Sequence, residues 1–205
     1  MKLTTEQVEH WRWAIGEAGD GVWVGGDLPP HGDDALQALV AWADAGITDI
    51  LDVRGEWSDE HFVAEHAGQM GYTHVGTDDD GNGQSDQWFD AGVAAAREAL
   101  LDDGAGLLVH CHMGINRGPS MALAILLDRG WRTIDALDAI RAARPIAAIA
   151  YAEDAVRWHS RRNGATRIDI AREQALVRRW HQDHEIDVGR VIRKIRRIET
   201  GPVAS

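Results

Sequence analysis

Residues 106–130, GLLVHCHMGINRGPSMALAILLDRG, constrain the fold more than any other stretch of the chain. The apolar run GLLVHC (106–111) reads as a strand buried on both faces, and RGPSMALAILLDRG (117–130) reads as an apolar helix. Five residues, His112 to Asn116, join Cys111 at the strand end to Arg117 at the helix start. A buried strand that passes so directly into a buried helix belongs in a sheet covered by helices on both faces.

The flanking sequence repeats that alternation. GVWVGG (21–26), ITDILDVR (47–54) and the start of YTHVGTDDDGNGQSD (72–86) read as strands. HGDDALQALVAWADAG (31–46) reads as a helix capped by Asp33 or Asp34, with Leu36, Leu39, Val40 and Ala43 at helical spacing and Gly46 as its stop. DEHFVAEHAGQMG (59–71), QWFDAGVAAAREALLDDG (87–104), TIDALDAIRAAR (133–144) and AIAYAEDAVRWHSRRNG (148–164) supply further helices. The expectation is an α/β fold with a central, mainly parallel sheet of about four to five strands. One domain is expected over residues 1–164, followed by a basic helical extension over 165–205. In that extension DVGRVIRKIRRIE (187–199) places Val188, Val191, Ile192, Ile195 and Ile198 on one stripe. It is expected to dock on the body or on a second copy of the chain.

Charge divides the chain the same way. Residues 1–156 hold 9 Lys and Arg against 27 Asp and Glu, whereas residues 157–205 hold 12 against 6, and the whole carries −12. Such an acidic body disfavours a nucleic-acid partner, and no aromatics interleave with the basic residues. The single cysteine excludes an internal disulfide and fits a reducing, cytoplasmic setting. No apolar run is long enough for a membrane span, and MKLTTEQVEHWRW does not have the pattern of a signal peptide.

The chemistry concentrates at residues 110–117. The strand delivers Cys111 to the carboxyl edge of the sheet, where open α/β sheets place their ligands. The loop can curl so that successive N–H groups face inward beside a helix N-terminus, a cradle of phosphate size. Gly114 permits the tight curl. Arg117 can return its planar fork to hold two oxygens of one anion. A thiol in so positive a cradle is a nucleophile, because the thiolate is the attacking form.

His-Cys, five residues, Arg resembles the signature of the cysteine-dependent protein phosphatases, and the short body resembles their dual-specificity branch. GVWVGG, GITDILDVRGE, YTHVGTDDDG and ARPIAAIAYAED stand in the order of that branch over roughly residues 20–160. The resemblance implies that Cys111 is the nucleophile and that Arg117 binds the phosphoryl oxygens. It implies that the amides of His112, Met113, Gly114, Ile115, Asn116 and Arg117 cradle the phosphate, and that the ring of His110 hydrogen-bonds and supports the loop. It also implies a general acid on the loop after YTHVG, where Asp79 is the choice by spacing and Asp78 and Asp80 are the alternatives. No cofactor and no metal are implied, and the expected partner is a phosphorylated protein or peptide.

One position departs from the pattern. Gly118 stands where most of that family have Ser or Thr, whose hydroxyl assists the second step. Slow hydrolysis of a phosphocysteine is therefore expected, as is a gain of turnover in Gly118→Ser, while Ser120 points elsewhere. The same glycine also motivates a rival reading as a phosphate-binding protein without turnover. Sulfur or arsenate chemistry fits less well, because its cysteine loops differ in length or lie near the N-terminus. A metal site is disfavoured because His110 and His112 flank Cys111 on a strand end and do not converge with it. His61, His66, His181 and His184 read as surface residues. His112, Met113 and Ile115 include no lysine, which disfavours inositol phosphates, and Asn116 keeps RNA 5′ ends as an alternative substrate. Trp11, Trp13, Trp23, Trp42, Trp88, Trp131 and Trp158 read as core, and Trp57 as a rim residue. Arg54 is expected at the site or paired with Glu56.

Overall fold

The structure, a computed structural model, describes residues 12–30 and 32–200; Trp11 lies outside them. Five strands form one sheet in the order β1-β2-β5-β3-β4. They are β1 (Gly16–Gly19), β2 (Val22–Gly25), β3 (Asp49–Arg54), β4 (Gly71–Thr77) and β5 (Leu107–His110). The β2–β5, β5–β3 and β3–β4 pairings are parallel, and only β1 runs antiparallel, to β2. The sheet is therefore mainly parallel, as expected. GEAG carries no β-branched residue and was invisible as a strand. It is formed by its turn, since Asp20 and Gly21 both have positive φ (51° and 75°), the geometry of a tight two-residue hairpin.

Side chains of β5 alternate between two cores, as a pleated strand requires. Leu107 and Val109 join the larger core with α3 (Asp86–Ala99), α4 (Arg117–Asp128), α5 (Thr133–Ala143) and α6 (Ala152–Arg162). Leu108 joins the smaller core with α1 (Gly32–Asp44) and α2 (Glu60–His66). The buried stripe of α1 is Ala35, Leu39 and Trp42, so Leu36 and Val40, expected on its core face, are exposed instead (37% and 61%). Trp42, Trp88 and Trp158 are core residues, while Trp13, Trp23 and Trp131 are only half-buried.

Beyond α6 the chain forms α7 (Arg167–Asp183) and α8 (Val188–Thr200). A capping box between Thr166 and Asp169 starts α7. Its Val177 and Trp180 enter the larger core, and Trp180 Nε1 donates to Asp138 Oδ1 at 2.6 Å. His181, expected on the surface, is half-buried beside the Ala148 carbonyl. On α8, Val191 and Ile195 are buried against Ile115 and Ile146, so this helix lies on the loop that follows β5. No helix among the described residues is long and apolar enough to cross a membrane, and none of their His, Cys, Asp and Glu side chains cluster as a metal site would.

Candidate active site

Because β2, β5, β3 and β4 are parallel, their carboxyl ends share one edge of the sheet. Asp27 follows β2, Glu56 follows β3, Asp78 to Asp80 follow β4, and Cys111 follows β5. Cys111 is buried, 2% exposed, at the base of its loop.

The backbone of that loop has its carbonyls turned outward, and each meets a donor. His112 O accepts from Asp27 N (3.1 Å), Ile115 O from Ala148 N (2.6 Å) and Asn116 O from Ser120 N (2.8 Å). Met113 O and Gly114 O accept from Arg144 Nη2 (2.7 Å) and Nε (2.6 Å). The N–H groups of residues 112–116 donate to nothing among the described residues. Outward carbonyls with unpaired amides on the other side form a nest for an anion. Gly114 has φ +60°, and a Cβ there would lie 2.3 Å from both Arg144 Nε and Gly25 O, so only glycine fits.

Arg144 is fully buried, and its third bond runs from Nη1 to Ala14 O at 2.6 Å. Burial holds its guanidinium down at about 10, so it is still a cation at neutral pH. Among the described residues it has no carboxylate partner in an ion pair, so its charge acts from beneath the nest. Arg144→Met is expected to lower the unfolding free energy by about 3 kcal/mol. Each orphaned buried carbonyl costs roughly 1–3 kcal/mol, offset in part by removing a buried cation. Urea denaturation measures this.

The side chains around Cys111 are arranged as follows. His110 is buried, but its Nδ1 has no partner among the described residues and its Nε2 stands 4.0 Å from Asp52 Oδ1. The implied ring hydrogen bond to the loop is not formed among the described residues, and Asp52 accepts instead from Arg54 and from the Tyr72 hydroxyl. Burial pushes the His110 imidazole down, which keeps it neutral as a packing group beside the loop. His112, on the other side of Cys111, bonds Asp27 Oδ2 through Nδ1 at 2.8 Å and makes a T-shaped contact with Trp57. Burial raises Asp27, but the His112 and Arg12 bonds outweigh it and hold the carboxyl below its ordinary range. Arg54 is buried among Asp52, Asp27 and Asp59, not paired with Glu56.

Glu56 instead grips Arg117. Its two oxygens accept from Nη1 (2.6 Å) and Nη2 (2.7 Å), and Nη1 also donates to Thr77 O (2.8 Å). The Arg117 bond is the largest influence holding Glu56 below the usual carboxylate range. Arg117 Nε, on the other edge of the fork, is buried without a hydrogen-bond partner among the described residues. Asp79 Oδ2 lies 3.6 Å from it.

Of the three aspartates after β4, Asp79 is the one joined to the Cys111 loop. Its Oδ1 accepts from Asn116 Nδ2 and from the Tyr151 hydroxyl, both at 2.7 Å. Asp80 is turned to Asn82 in a local turn, and Asp78 contributes its carbonyl to Gln84. Gly118 packs on the strand end: a Cβ there would stand 3.2 Å from Cys111 N and from the His110 carbonyl carbon. Gly118→Ser would press on the nucleophile's own backbone, which opposes the gain expected from its hydroxyl. The Ser120 hydroxyl contacts Asn116 Oδ1 and accepts from Tyr151 N at 3.2 Å.

Sequence reasoning passed over Glu56 as a partner of Arg117, and over the side chains of Asn116, Arg144 and Tyr151. Arg144 had a usable signal, a cation directly before Pro145 and the apolar run PIAAIA.

This fold is that of the dual-specificity-like cysteine phosphatases. Among solved structures, human DUSP28 is similar at 20% identity and TM-score 0.58, covering 73% of this chain and 95% of its own. PTPMT1 in complex with PI(5)P is similar at 17% identity and TM-score 0.57, with coverage of 72% and 95%. The human tyrosine phosphatase-like serine/threonine/tyrosine-interacting protein is similar at 16% identity and TM-score 0.54, with coverage of 71% and 95%. No protein-family profile matches the chain, and no curated protein does.

Proposed function

We propose that this chain is a phosphomonoester hydrolase that works through a phosphocysteine on Cys111. The observation that carries the reading is the convergence on one loop of unpaired amides, a buried cysteine, the unpaired Nε edge of Arg117 and the Asp79 carboxylate. The Cys111 thiolate attacks phosphorus, the bond to the leaving oxygen breaks, and Asp79 gives that oxygen its proton. The amides and Arg117 hold the phosphoryl oxygens as charge spreads over them. Water then attacks the phosphocysteine, Asp79 takes a proton from it, and the sulfur leaves.

The substrates proposed are phosphotyrosine and phosphoserine or phosphothreonine in proteins, met in a reducing cytoplasm that keeps Cys111 free. Met113 and Ile115 carry no charge toward additional phosphates, which supports this class over inositol phosphates. Gly118 supplies no hydroxyl to assist departure of the sulfur, so the second step is the slow one. Rapid mixing with an aryl phosphate is expected to give a burst of about one phenol per Cys111 before slower turnover. In the same assay a phosphotyrosine peptide is expected to react faster than inositol phosphates or RNA 5′ ends. A time course linear from the first turnover overturns the slow second step, and the reverse substrate ranking overturns the substrate class.

A further inference from the structure

Asp79 is held on one side only. Both hydrogen bonds it accepts, from Asn116 Nδ2 and from the Tyr151 hydroxyl, converge on Oδ1. Oδ2 accepts none among the described residues and is turned toward Arg117 Nε.

The two donors are themselves anchored. Asn116 Oδ1 accepts from Ala150 N at 2.6 Å, which fixes the amide so that Nδ2 faces the acid loop. Tyr151 N donates to Ser120 Oγ, and the Tyr151 hydroxyl accepts from Gly81 N at 3.3 Å. The turn that presents Ala150 and Tyr151 includes Ile149 at φ 55°, a conformation β-branched residues rarely adopt and surrounding structure must impose. Burial, followed by the bond to Asp79, pushes the Tyr151 phenol up, so it remains a donor at neutral pH. The Cys111 loop, the acid loop and the start of α6 are thereby tied together at one carboxylate oxygen.

We propose that Asn116 and Tyr151 are positioning residues that reserve Oδ1 of Asp79 and so confine its transferable proton to Oδ2. The proposal rests on the phosphatase reading. As the sulfur–phosphorus bond forms and the phosphorus–oxygen bond breaks, the proton passes from Oδ2 to the leaving oxygen. Oδ1 keeps both donors throughout, so the carboxylate left behind is already solvated by protein groups and does not rotate away. In the second step the same oxygen, Oδ2, receives the proton of water.

The test is the dependence of first-turnover rate on leaving group, using 2,4-dinitrophenyl phosphate, which needs no acid, and phenyl phosphate, which does. General acid catalysis contributes about 10²–10⁴-fold, and Asp79→Asn is expected to raise the rate ratio of the two esters by that order. Asn116→Ala and Tyr151→Phe are each expected to raise it by about tenfold, and neither is expected to raise it further in an Asp79→Asn background. Tyr151→Phe removes one hydroxyl from a retained ring, so the question stays answerable even if Asn116→Ala fails to fold. Parallel losses on both esters, an unchanged ratio, or full additivity with Asp79→Asn would overturn the positioning role alone. A wild type inert on both esters would overturn the phosphatase reading, and the proposal with it.

Discussion

Cys111→Ser is expected to lower aryl phosphate hydrolysis by on the order of 10⁴-fold or more, the scale on which removal of a nucleophile acts. The reason lies in what surrounds Cys111. A serine hydroxyl needs an adjacent base, and among the described residues neither flanking histidine hydrogen-bonds residue 111: burial weakens the His110 imidazole as a base, and His112 Nδ1 is engaged by Asp27. A thiol depends far less on such a base, because sulfur is intrinsically a much stronger nucleophile than a hydroxyl oxygen. The variant keeps the loop carbonyls, Arg144 and Arg117 in place, so a phosphotyrosine peptide is still expected to bind, as calorimetry would record. Residual turnover above about 1% of wild type, a smaller loss than removing a nucleophile gives, would mean that Cys111 is not the nucleophile. Wild-type binding without any hydrolysis would favour the rival reading that Gly118 motivates.

The parts of the site legible in the sequence are those built from short separations. A strand, a five-residue loop and a helix are contiguous, so Cys111, Gly114 and Arg117 could be read together. The parallel order of the strands then follows from the alternation of elements. β1 was not legible because turn geometry and pairing, not side-chain propensity, make GEAG a strand.

The other groups owe their roles to contacts across the fold. Glu56 stands 61 residues from Arg117, and Asp79 stands 37 from Asn116 and 72 from Tyr151. Local spacing pointed Arg54 to Glu56, two residues on, although Asp52 stands as close on the other side. Burial decided between them: Arg54 sits inside the sheet with Asp52, while Glu56 has passed the strand end and reaches Arg117. Spacing singles out Asp79 over Asp78 and Asp80, but the contacts of Asn116 and Tyr151 with its carboxylate come into view only once the loops are brought together.

Arg117→Lys is expected to reduce kcat/KM by about 10³-fold, within the range by which losing an arginine affects phosphoryl transfer. The substitution keeps the charge, so the long-range field at the sheet edge hardly changes. What it removes is planar geometry. The guanidinium engages Glu56 with both terminal nitrogens and Thr77 O with one of them, which leaves the Nε edge free among the described residues and turned toward Asp79. An ammonium offers one nitrogen, and if that nitrogen satisfies Glu56 none is left to hold two phosphoryl oxygens. If it turns to the phosphate, Glu56 is left ionised beside an anion, and repulsion weakens binding. Either way the loss should be deeper in kcat/KM for chemistry than in affinity for inorganic phosphate, which the loop amides still hold. Steady-state kinetics and phosphate titration of the same variant separate the two. A variant within tenfold of wild type, a far smaller loss than an arginine of this kind gives, would mean that the paired fork does not hold the transition state, and the amides alone would have to do so.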